Sequence, residues 1–274
     1  MPHRVLDGLA FHVDRYGMGP PVVLLHGFTG SRTTWKPLVR ALDDEFTTLS
    51  VDLVGHGSTG SPEAVDRYRM RRAVDDLAEL VRAIGFERAA WLGYSLGGRV
   101  ALQVAAYRPE VVSALVLEGA TPGLSDREER AARVRADEAL ADRIEREGLD
   151  WFVDYWGALP LWDSQLETLS PAQREALREQ RLTQRVIGLA NSLRGMGTGA
   201  QEPVHDRLAA IDVPVLLATG TLDRKFTVIA REMAQALPAA TIRSIDGAGH
   251  AAHLERPDAF NAAVLDFLRT HRRS

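Results

Sequence analysis

The sequence predicts an α/β protein with a mostly parallel, doubly wound sheet and a helical cap inserted before its last strands. Short apolar runs rich in β-branched residues recur along the chain, and segments with helical periodicity separate most of them. The runs are hydrophobic almost throughout, which is typical of parallel strands buried on both faces. One interval, from Glu118 to Val215, is far longer than an ordinary strand connection and therefore indicates an insertion.

Each predicted element follows from one of these patterns. The predicted strands are Pro21–Leu25, Thr47–Val51, Ala89–Gly93, Ala114–Leu117, Val215–Thr219 and the shorter Ile242–Ile245. The predicted helices are Arg69–Ile84, Leu96–Tyr107, Ile229–Ala236 and Pro257–Arg269, the last of which opens with a proline that suits a first helical turn. Two further short runs, Val5–Asp7 and Ala10–Arg15, predict an antiparallel hairpin at the edge of the sheet.

The insertion divides the chain into a core of residues 1–119 and 205–274 and a helical cap of residues 120–204. In the cap we predict a charged helix over Arg127–Glu147 and a second helix that begins near Pro171. An aromatic cluster lies between them and comprises Trp151, Phe152, Tyr155, Trp156 and Trp162. A chain of 274 residues suits one core domain that carries a large insertion.

The composition excludes several classes of function. A net charge of -4 argues against general affinity for nucleic acid, which requires a basic surface. The absence of cysteine excludes disulfides, thiol nucleophiles and cysteine-ligated metals. No apolar run approaches the roughly 18 residues that cross a bilayer, and the N-terminal segment does not resemble a secretory signal. We therefore expect a cytoplasmic monomer that acts on a small molecule without membrane insertion, and no motif points to a metal or an organic cofactor.

A reactive serine is predicted at Ser95, in the sequence Gly93-Tyr94-Ser95-Leu96-Gly97 between a predicted strand and a predicted helix. The flanking glycines allow the sharp turn that exposes the hydroxyl and directs the N-terminus of the following helix at it. A serine hydroxyl alone is a poor nucleophile or base, so a histidine must accept its proton and an acid must orient that histidine.

The two partners follow in the order serine, acid, histidine. Asp223 comes after the predicted strand Val215–Thr219, and His250 comes after Ile242–Ile245. Loops at the carboxyl ends of parallel strands line the active crevice of open α/β sheets. The ordered set predicts a catalytic triad, with the backbone N–H groups of Phe28 and Leu96 as the oxyanion donors.

The remaining histidines are weaker candidates for catalysis. His56 lies in Gly55-His56-Gly57-Ser58 after a strand, where shaping the loop is the favoured interpretation over a catalytic role. His205 and His253 do not follow a strand in a comparable way.

From His26 through His253, the chain resembles the α/β-hydrolase superfamily. Within it, Gly93–Arg99, Glu118–Leu124, Ser192–Gly199 and Asp223–Phe226 resemble the 2-succinyl-6-hydroxy-2,4-cyclohexadiene-1-carboxylate synthase (MenH) family of menaquinone biosynthesis. This resemblance implies the α/β-hydrolase fold and a lyase that removes a carbon-bound proton from a polycarboxylate cyclohexene and expels pyruvate. The triad would then make Ser95 a general base rather than a nucleophile.

Such a substrate requires cationic side chains near the serine. Arg99 lies one helical turn beyond Ser95, and Lys225 is notable in a chain that is nearly free of lysine. The resemblance also implies substrate-binding roles for Arg133 and Arg181 in the cap, although Arg133 could equally form i,i+4 pairs on a solvated helix face.

The roles of Arg181, Tyr94 and Trp156 remain open among the candidate substrate-binding residues. The local alignment at Arg181 is ambiguous, so Arg178 or Arg185 could take its role. Tyr94 and Trp156 could contact the substrate ring, although packing is the favoured interpretation for most aromatic residues in this stretch.

Two other functions compete with the synthase. A carboxylic ester, lactone or carbon–carbon bond hydrolase would use Ser95 as a covalent nucleophile and would favour an apolar acyl pocket. A ligand receptor of the same fold would keep the triad for binding or slow turnover. The serine at position 95 argues against dehalogenases and epoxide hydrolases, which use aspartate there.

Overall fold

A computed structural model describes residues 3–272, so residues 1–2 and 273–274 of the predicted core lie outside it. Eight strands form one sheet in the order β1-β2-β4-β3-β5-β6-β7-β8. They are β1 His3–Leu6, β2 Leu9–Tyr16, β3 Pro21–Leu25, β4 Thr47–Val51, β5 Ala89–Tyr94, β6 Val112–Glu118, β7 Val215–Gly220 and β8 Ala240–Ile245. Strands β3 to β8 pair in parallel, which confirms the predicted doubly wound sheet. The predicted edge hairpin is also confirmed, because β1 pairs antiparallel with β2, and β2 pairs antiparallel with β4.

Ten α-helices accompany the sheet within the described residues. They are α1 Lys36–Leu42, α2 Met70–Ala83, α3 Leu96–Tyr107, α4 Arg127–Gly157, α5 Asp163–Thr168, α6 Pro171–Leu182, α7 Val186–Met196, α8 Arg224–Ala236, α9 Ala252–Glu255 and α10 Pro257–Thr270. Helices α4 to α7 lie between β6 and β7, in the long interval where the sequence predicts an insertion. The predicted helices at α2, α3 and α10 are confirmed with ends that differ by one residue or less.

One predicted helix boundary is wrong and another coincides with a kink. The predicted helix end at Glu147 is confirmed by a break at Gly148, whose φ of 84° only glycine adopts readily, and a second helical stretch continues α4 to Gly157. Helix α8 begins at Arg224 rather than Ile229, because the Asp223 carboxylate accepts the Phe226 N–H at 3.2 Å and caps the helix. Phe226 in the first turn already has the helical apolar spacing of Ile229 and Met233, so the pattern itself extends further toward the N-terminus than the predicted start.

The sheet carries an apolar layer on each face, and the cap contributes a third. Ile144 and Phe152 of α4 pack with Leu189 and Leu193 of α7 in this third cluster. Phe28, which follows β3, packs against the same cluster and so links the cap to the sheet. Within residues 3–272, none of the helices combines the length and the apolar character that crossing a membrane requires.

Candidate active site

Ser95 occupies a strained turn between β5 and α3. Its φ of 50° is unusual for a residue with a side chain and costs about 1–3 kcal/mol. The turn is held by the Ser95 N–H, which donates to the Glu118 carbonyl at 2.8 Å. A Cβ at Gly93 would lie 2.1 Å from the Gly97 carbonyl oxygen, and one at Gly97 would lie 2.2 Å from that of Leu25. Both glycines are therefore required by close backbone approach, and the turn presents the serine hydroxyl at the carboxyl end of β5.

The three predicted triad residues come together. His250 Nδ1 lies 2.7 Å from Asp223 Oδ2, and His250 Nε2 lies 3.3 Å from Ser95 Oγ. A carboxylate only accepts hydrogen bonds, so Nδ1 carries the proton and Nε2 is free to accept one from the serine. The imidazole is 3% exposed and packs against the rings of Phe226, Tyr94 and Trp162. This arrangement can withdraw the serine proton in a water-poor setting.

The predicted oxyanion donors also lie beside the serine. Phe28 follows β3, Leu96 is the first residue of α3, and both line the same cavity as Ser95. The hydrogen bonds of residues 3–272 include none from either backbone N–H. The cap holds the loop after Phe28, because Gln184 donates to the carbonyls of Thr29 and Gly30 at 3.2 and 3.0 Å. Nothing in the local sequence identified this glutamine.

A cavity of about 200 Å³ opens over Ser95 between the sheet and the cap. Its wall includes five of the six predicted substrate-binding residues, namely Tyr94, Arg99, Arg133, Trp156 and Lys225. Trp156 is half-buried, and its ring packs against that of Phe28 with 5.3 Å between the ring centres. It therefore both lines the cavity and supports its wall. The cavity is thus lined by both cationic and aromatic side chains.

Arg99 is the buried cation of this cavity, with 9% of its surface exposed. Its Nη1 donates to the Met196 carbonyl and to Gln201 Oε1, each at 2.7 Å. Within residues 3–272, it forms no ion pair with a carboxylate. Burial, together with the positive charge of Arg133, lowers the pKa of Arg99 to about 10. The guanidinium remains charged near neutral pH, and its position favours an anion in the cavity.

Arg133 and Lys225 add positive charge at the more exposed side. Arg133 Nε donates to Asp137 at 2.8 Å, an i,i+4 pair on α4, and the same side chain lines the cavity. The i,i+4 pair expected for Arg133 is therefore present, and its substrate-binding role stays a prediction. Burial raises the pKa of Asp137 although Arg133 and Arg99 oppose that effect. Lys225 is exposed beside the ring of Phe226, with Nζ 5.7 Å from the ring centre.

The structure does not bring Arg181 into the cavity over Ser95. Arg181 lines two neighbouring cavities of about 510 and 40 Å³, with its guanidinium 5.5 Å from the centre of the Trp162 ring. Tyr94 separates the two regions, since it lines both the smaller of these cavities and the one over Ser95. Burial raises the pKa of Tyr94 well above its ordinary value and lowers that of Arg181.

Both alternatives to Arg181 are paired elsewhere. Arg178 forms an exposed ion pair with Asp154 at 3.1 Å. Arg185 donates to Ser61 Oγ at 2.7 Å and to the Thr59 carbonyl. Among the three cap arginines, Arg181 is therefore the one whose guanidinium packs against an aromatic residue of the cavity wall.

The other histidines lie outside the reacting centre. His56 is fully buried, and burial lowers its pKa to about 3, so it stays neutral and contacts the ring of Phe28 at 5.8 Å. His253 Nδ1 pairs with the buried Glu118 at 2.8 Å, a contact that the sequence did not suggest. His205 lines an adjoining cavity of about 720 Å³, which shares Arg133 and Lys225 with the cavity over Ser95.

Comparisons with known proteins bear on the fold and the family of this chain. Residues 20–257 match the family model described as the alpha/beta hydrolase fold. A Bacillus subtilis protein, provisionally named 2-succinyl-6-hydroxy-2,4-cyclohexadiene-1-carboxylate synthase, is 44% identical over 96% of this chain and 96% of its own length. The synthase of that name from Klebsiella pneumoniae is 33% identical over 95% of this chain and 98% of its own. The solved structure of MenH from S. aureus has a TM-score of 0.92 at 32% identity and covers 96% of this chain and 99% of its own.

Proposed function

This chain belongs to the 2-succinyl-6-hydroxy-2,4-cyclohexadiene-1-carboxylate synthase family of the α/β-hydrolase fold, and we propose that it catalyses the synthase reaction of menaquinone biosynthesis. In that reaction, 2-succinyl-5-enolpyruvyl-6-hydroxy-3-cyclohexene-1-carboxylate loses pyruvate by elimination. The observation that carries the proposal is the buried Arg99, which forms no salt bridge within residues 3–272, has Asp137 only as a more distant opposite charge, and lines the same cavity as Ser95. A substrate that bears several carboxylates supplies a direct partner.

Ser95 acts as the base in this proposal. His250 Nε2 accepts the serine proton, and the serine oxygen then takes a proton from a ring carbon of the substrate. The electrons of the broken C–H bond form a new ring double bond, the existing ring double bond shifts by one position, and the ring C–O bond breaks so that its electrons leave with the enolate of pyruvate. Protonation of that enolate gives pyruvate. No acyl-enzyme forms, so the serine needs only to exchange its proton with His250.

The neighbouring groups have distinct roles in the same step. Asp223 holds His250 in the tautomer that leaves Nε2 free. The N–H groups of Phe28 and Leu96 stabilise the negative charge that builds on the substrate as the proton leaves. The enclosed cavity strengthens these interactions because little water screens them.

The cationic residues select and orient the substrate. Arg99 binds one carboxylate in the buried part of the cavity, whereas Arg133 and Lys225 bind the more exposed acidic groups. Tyr94 and Trp156 contact the ring of the substrate. Arg181 acts from behind Trp162 and Tyr94, where its charge contributes to the attraction of anions.

We further propose the division into a core of residues 1–119 and 205–274 and a cap of residues 120–204, which helices α4 to α7 and their own apolar cluster support. All the proposed catalytic groups come from one chain, so we expect a monomer. We expect it in the cytoplasm, where a biosynthetic intermediate is made. Light scattering and cell fractionation check these two points.

The test compares two activities of the wild-type protein. Pyruvate release from the upstream intermediate is measured beside the hydrolysis of p-nitrophenyl esters, and Ser95→Ala is the control for both. The proposal predicts efficient pyruvate release that Ser95→Ala abolishes. Efficient ester turnover without pyruvate release would instead support the hydrolase, and neither activity would support the receptor.

A further inference from the structure

A buried carboxylate accepts hydrogen bonds from the backbone on both sides of the catalytic histidine. Glu255, the last residue of α9, is 3% exposed. Its Oε2 accepts the N–H of Gly249 at 2.8 Å, and its Oε1 accepts the N–H of Ala251 at 3.3 Å. The Gly249 N–H belongs to the peptide between Ala248 and Gly249, and the Ala251 N–H belongs to the peptide between His250 and Ala251, so one side chain holds the backbone before and after His250.

From this geometry we propose that Glu255 is a positioning residue for His250. The inference rests on the proposed function only in treating His250 as the group that accepts the proton of Ser95. Asp223 fixes the imidazole at its Nδ1, but the place of the ring also depends on where its Cα lies. Hydrogen bonds to an ionised carboxylate are about twice as strong as neutral ones, and two of them at the peptides that flank Gly249 and His250 restrict the Cα atoms between them. The Nε2–Oγ distance of 3.3 Å to Ser95 is then set from both ends of the residue.

The carboxylate of Glu255 is not engaged in an ion pair that would account for its burial. Within residues 3–272, no Lys or Arg forms a salt bridge with it, and Arg256 donates instead to its backbone carbonyl at 2.9 Å. A charge buried without a cation is costly, so its hydrogen bonds must satisfy it. Its remaining polar neighbour is the hydroxyl of Thr168, 3.3 Å from Oε2.

Thr168 brings the cap into the same arrangement. It ends α5 of the cap, and its hydroxyl lies closer to the Ser164 carbonyl, at 2.8 Å, than to Glu255. The single hydroxyl proton of Thr168 is therefore donated mainly to the Ser164 carbonyl. The contact between Thr168 and Glu255 contributes little to the position of the histidine. We therefore expect replacement of Glu255 to disturb His250 more than replacement of Thr168 does.

The experiment uses three variants of the full chain. Glu255→Gln keeps the shape but places an NH₂ group against one of the two backbone donors, which removes one hydrogen bond and the charge. Thr168→Val keeps the shape and removes only the hydroxyl. Glu138→Gln, at an exposed position of α4, is the matched control for loss of one carboxylate charge. Pyruvate release is measured for each, with KM and kcat separated.

Glu255→Gln is expected to lower kcat by about 10- to 100-fold with KM changed less than about threefold, because a displacement of about 1 Å costs up to that much. Thr168→Val and Glu138→Gln are expected to retain kcat within about twofold. A second measurement is the downfield NMR resonance of the proton in the His250–Asp223 hydrogen bond, which is assigned by its loss in Asp223→Asn. We expect Glu255→Gln to shift or broaden it and the other two variants to leave it unchanged.

Wild-type kcat together with an unchanged resonance in Glu255→Gln would overturn the proposal, as would an equal loss of kcat in Thr168→Val. The wild-type protein provides a test that is independent of folding in any variant. Its Gly249 and Ala251 amides should exchange with solvent at least about 100-fold more slowly than amides that form no hydrogen bond, and rapid exchange at both would also overturn it. Because the resonance and the exchange do not require turnover, they still decide the role of Glu255 if the wild-type protein releases no pyruvate.

Discussion

Replacing Arg99 with methionine tests whether the cavity is built for a carboxylate. The substitution keeps an unbranched side chain in α3 but removes the charge and its hydrogen bonds. Losing one partner of a buried, hydrogen-bonded charge pair costs about 2–5 kcal/mol of binding, and about 1.4 kcal/mol corresponds to a tenfold change. We therefore expect Arg99→Met to lower kcat/KM for pyruvate release by about 30- to 5,000-fold.

The same change should affect stability far less. Burial lowers the pKa of Arg99 to about 10, which is equivalent to a penalty of about 3 kcal/mol for keeping the guanidinium charged in the fold. Methionine removes that penalty but leaves the Met196 carbonyl and Gln201 Oε1 without their donor, at about 1–3 kcal/mol each. These opposing contributions largely cancel, so the free energy of unfolding should stay within about 3 kcal/mol of the wild type.

The assay couples pyruvate release to lactate dehydrogenase, and urea unfolding reports stability. Arg231→Met, at an exposed position of α8, is the matched control and should leave both quantities unchanged. A kcat/KM within about threefold of the wild type would refute the role of Arg99 in binding the substrate. A loss of more than about 4 kcal/mol in stability would show instead that Arg99 holds the fold together.

Two further predictions concern the loops around the site. Burial lowers the pKa of His56 from 6.5 to about 3, so only the unfolded chain takes up this proton as the pH falls below about 6.5, and stability declines there. Between pH 7 and pH 5, urea unfolding should show a loss of about 2 kcal/mol in the wild type that His56→Leu lacks, and equal losses in both proteins would contradict this assignment. Gln184→Leu removes the hydrogen bonds that Gln184 donates to the carbonyls of Thr29 and Gly30 and the one it accepts from the Gly57 N–H, although Gln180 still donates to Thr29, so kcat for pyruvate release should fall about tenfold as the Phe28 amide loses its position. An unchanged kcat would show that the loop holds its shape without Gln184.

Local patterns predict the sheet and the triad because the residues that determine each of their parts lie close together in the sequence. The strands β3 and β4 and the helix α3 begin and end where their apolar patterns do. The turn around Ser95 is recognisable because backbone crowding demands glycine at fixed positions beside it. Asp223 and His250 were identified by their places after strands, which determine where a residue lies in this fold.

Helix α7 was missed for a physical reason. Most of its residues are buried, including the polar Asn191 and Ser192, so it lacks the exposed face that gives a surface helix its periodicity. Its glycine-rich end at Gly195 and Gly197 also resembles a loop. Such a helix cannot be told from an irregular segment by local pattern alone.

The supporting contacts of the site were missed because they join distant parts of the chain. Arg99 contacts Gln201 across 102 positions of sequence, and His253 contacts Glu118 across 135. A single sequence gives no sign of such pairs, since each partner is an ordinary polar residue in its own neighbourhood. The chemistry of the site could therefore be anticipated, whereas the groups that orient it became evident only from the fold.

The role of Ser95 as a base for a carbon-bound proton is tested most directly by an isotope effect. Pyruvate release is followed in single turnovers with substrate that carries deuterium at the ring carbon that loses its proton, while intact-protein mass is monitored. The account predicts slower release from the deuterated substrate and no covalent adduct on Ser95. Equal rates for the two substrates, together with an adduct on Ser95 that forms and decays during turnover, would contradict it.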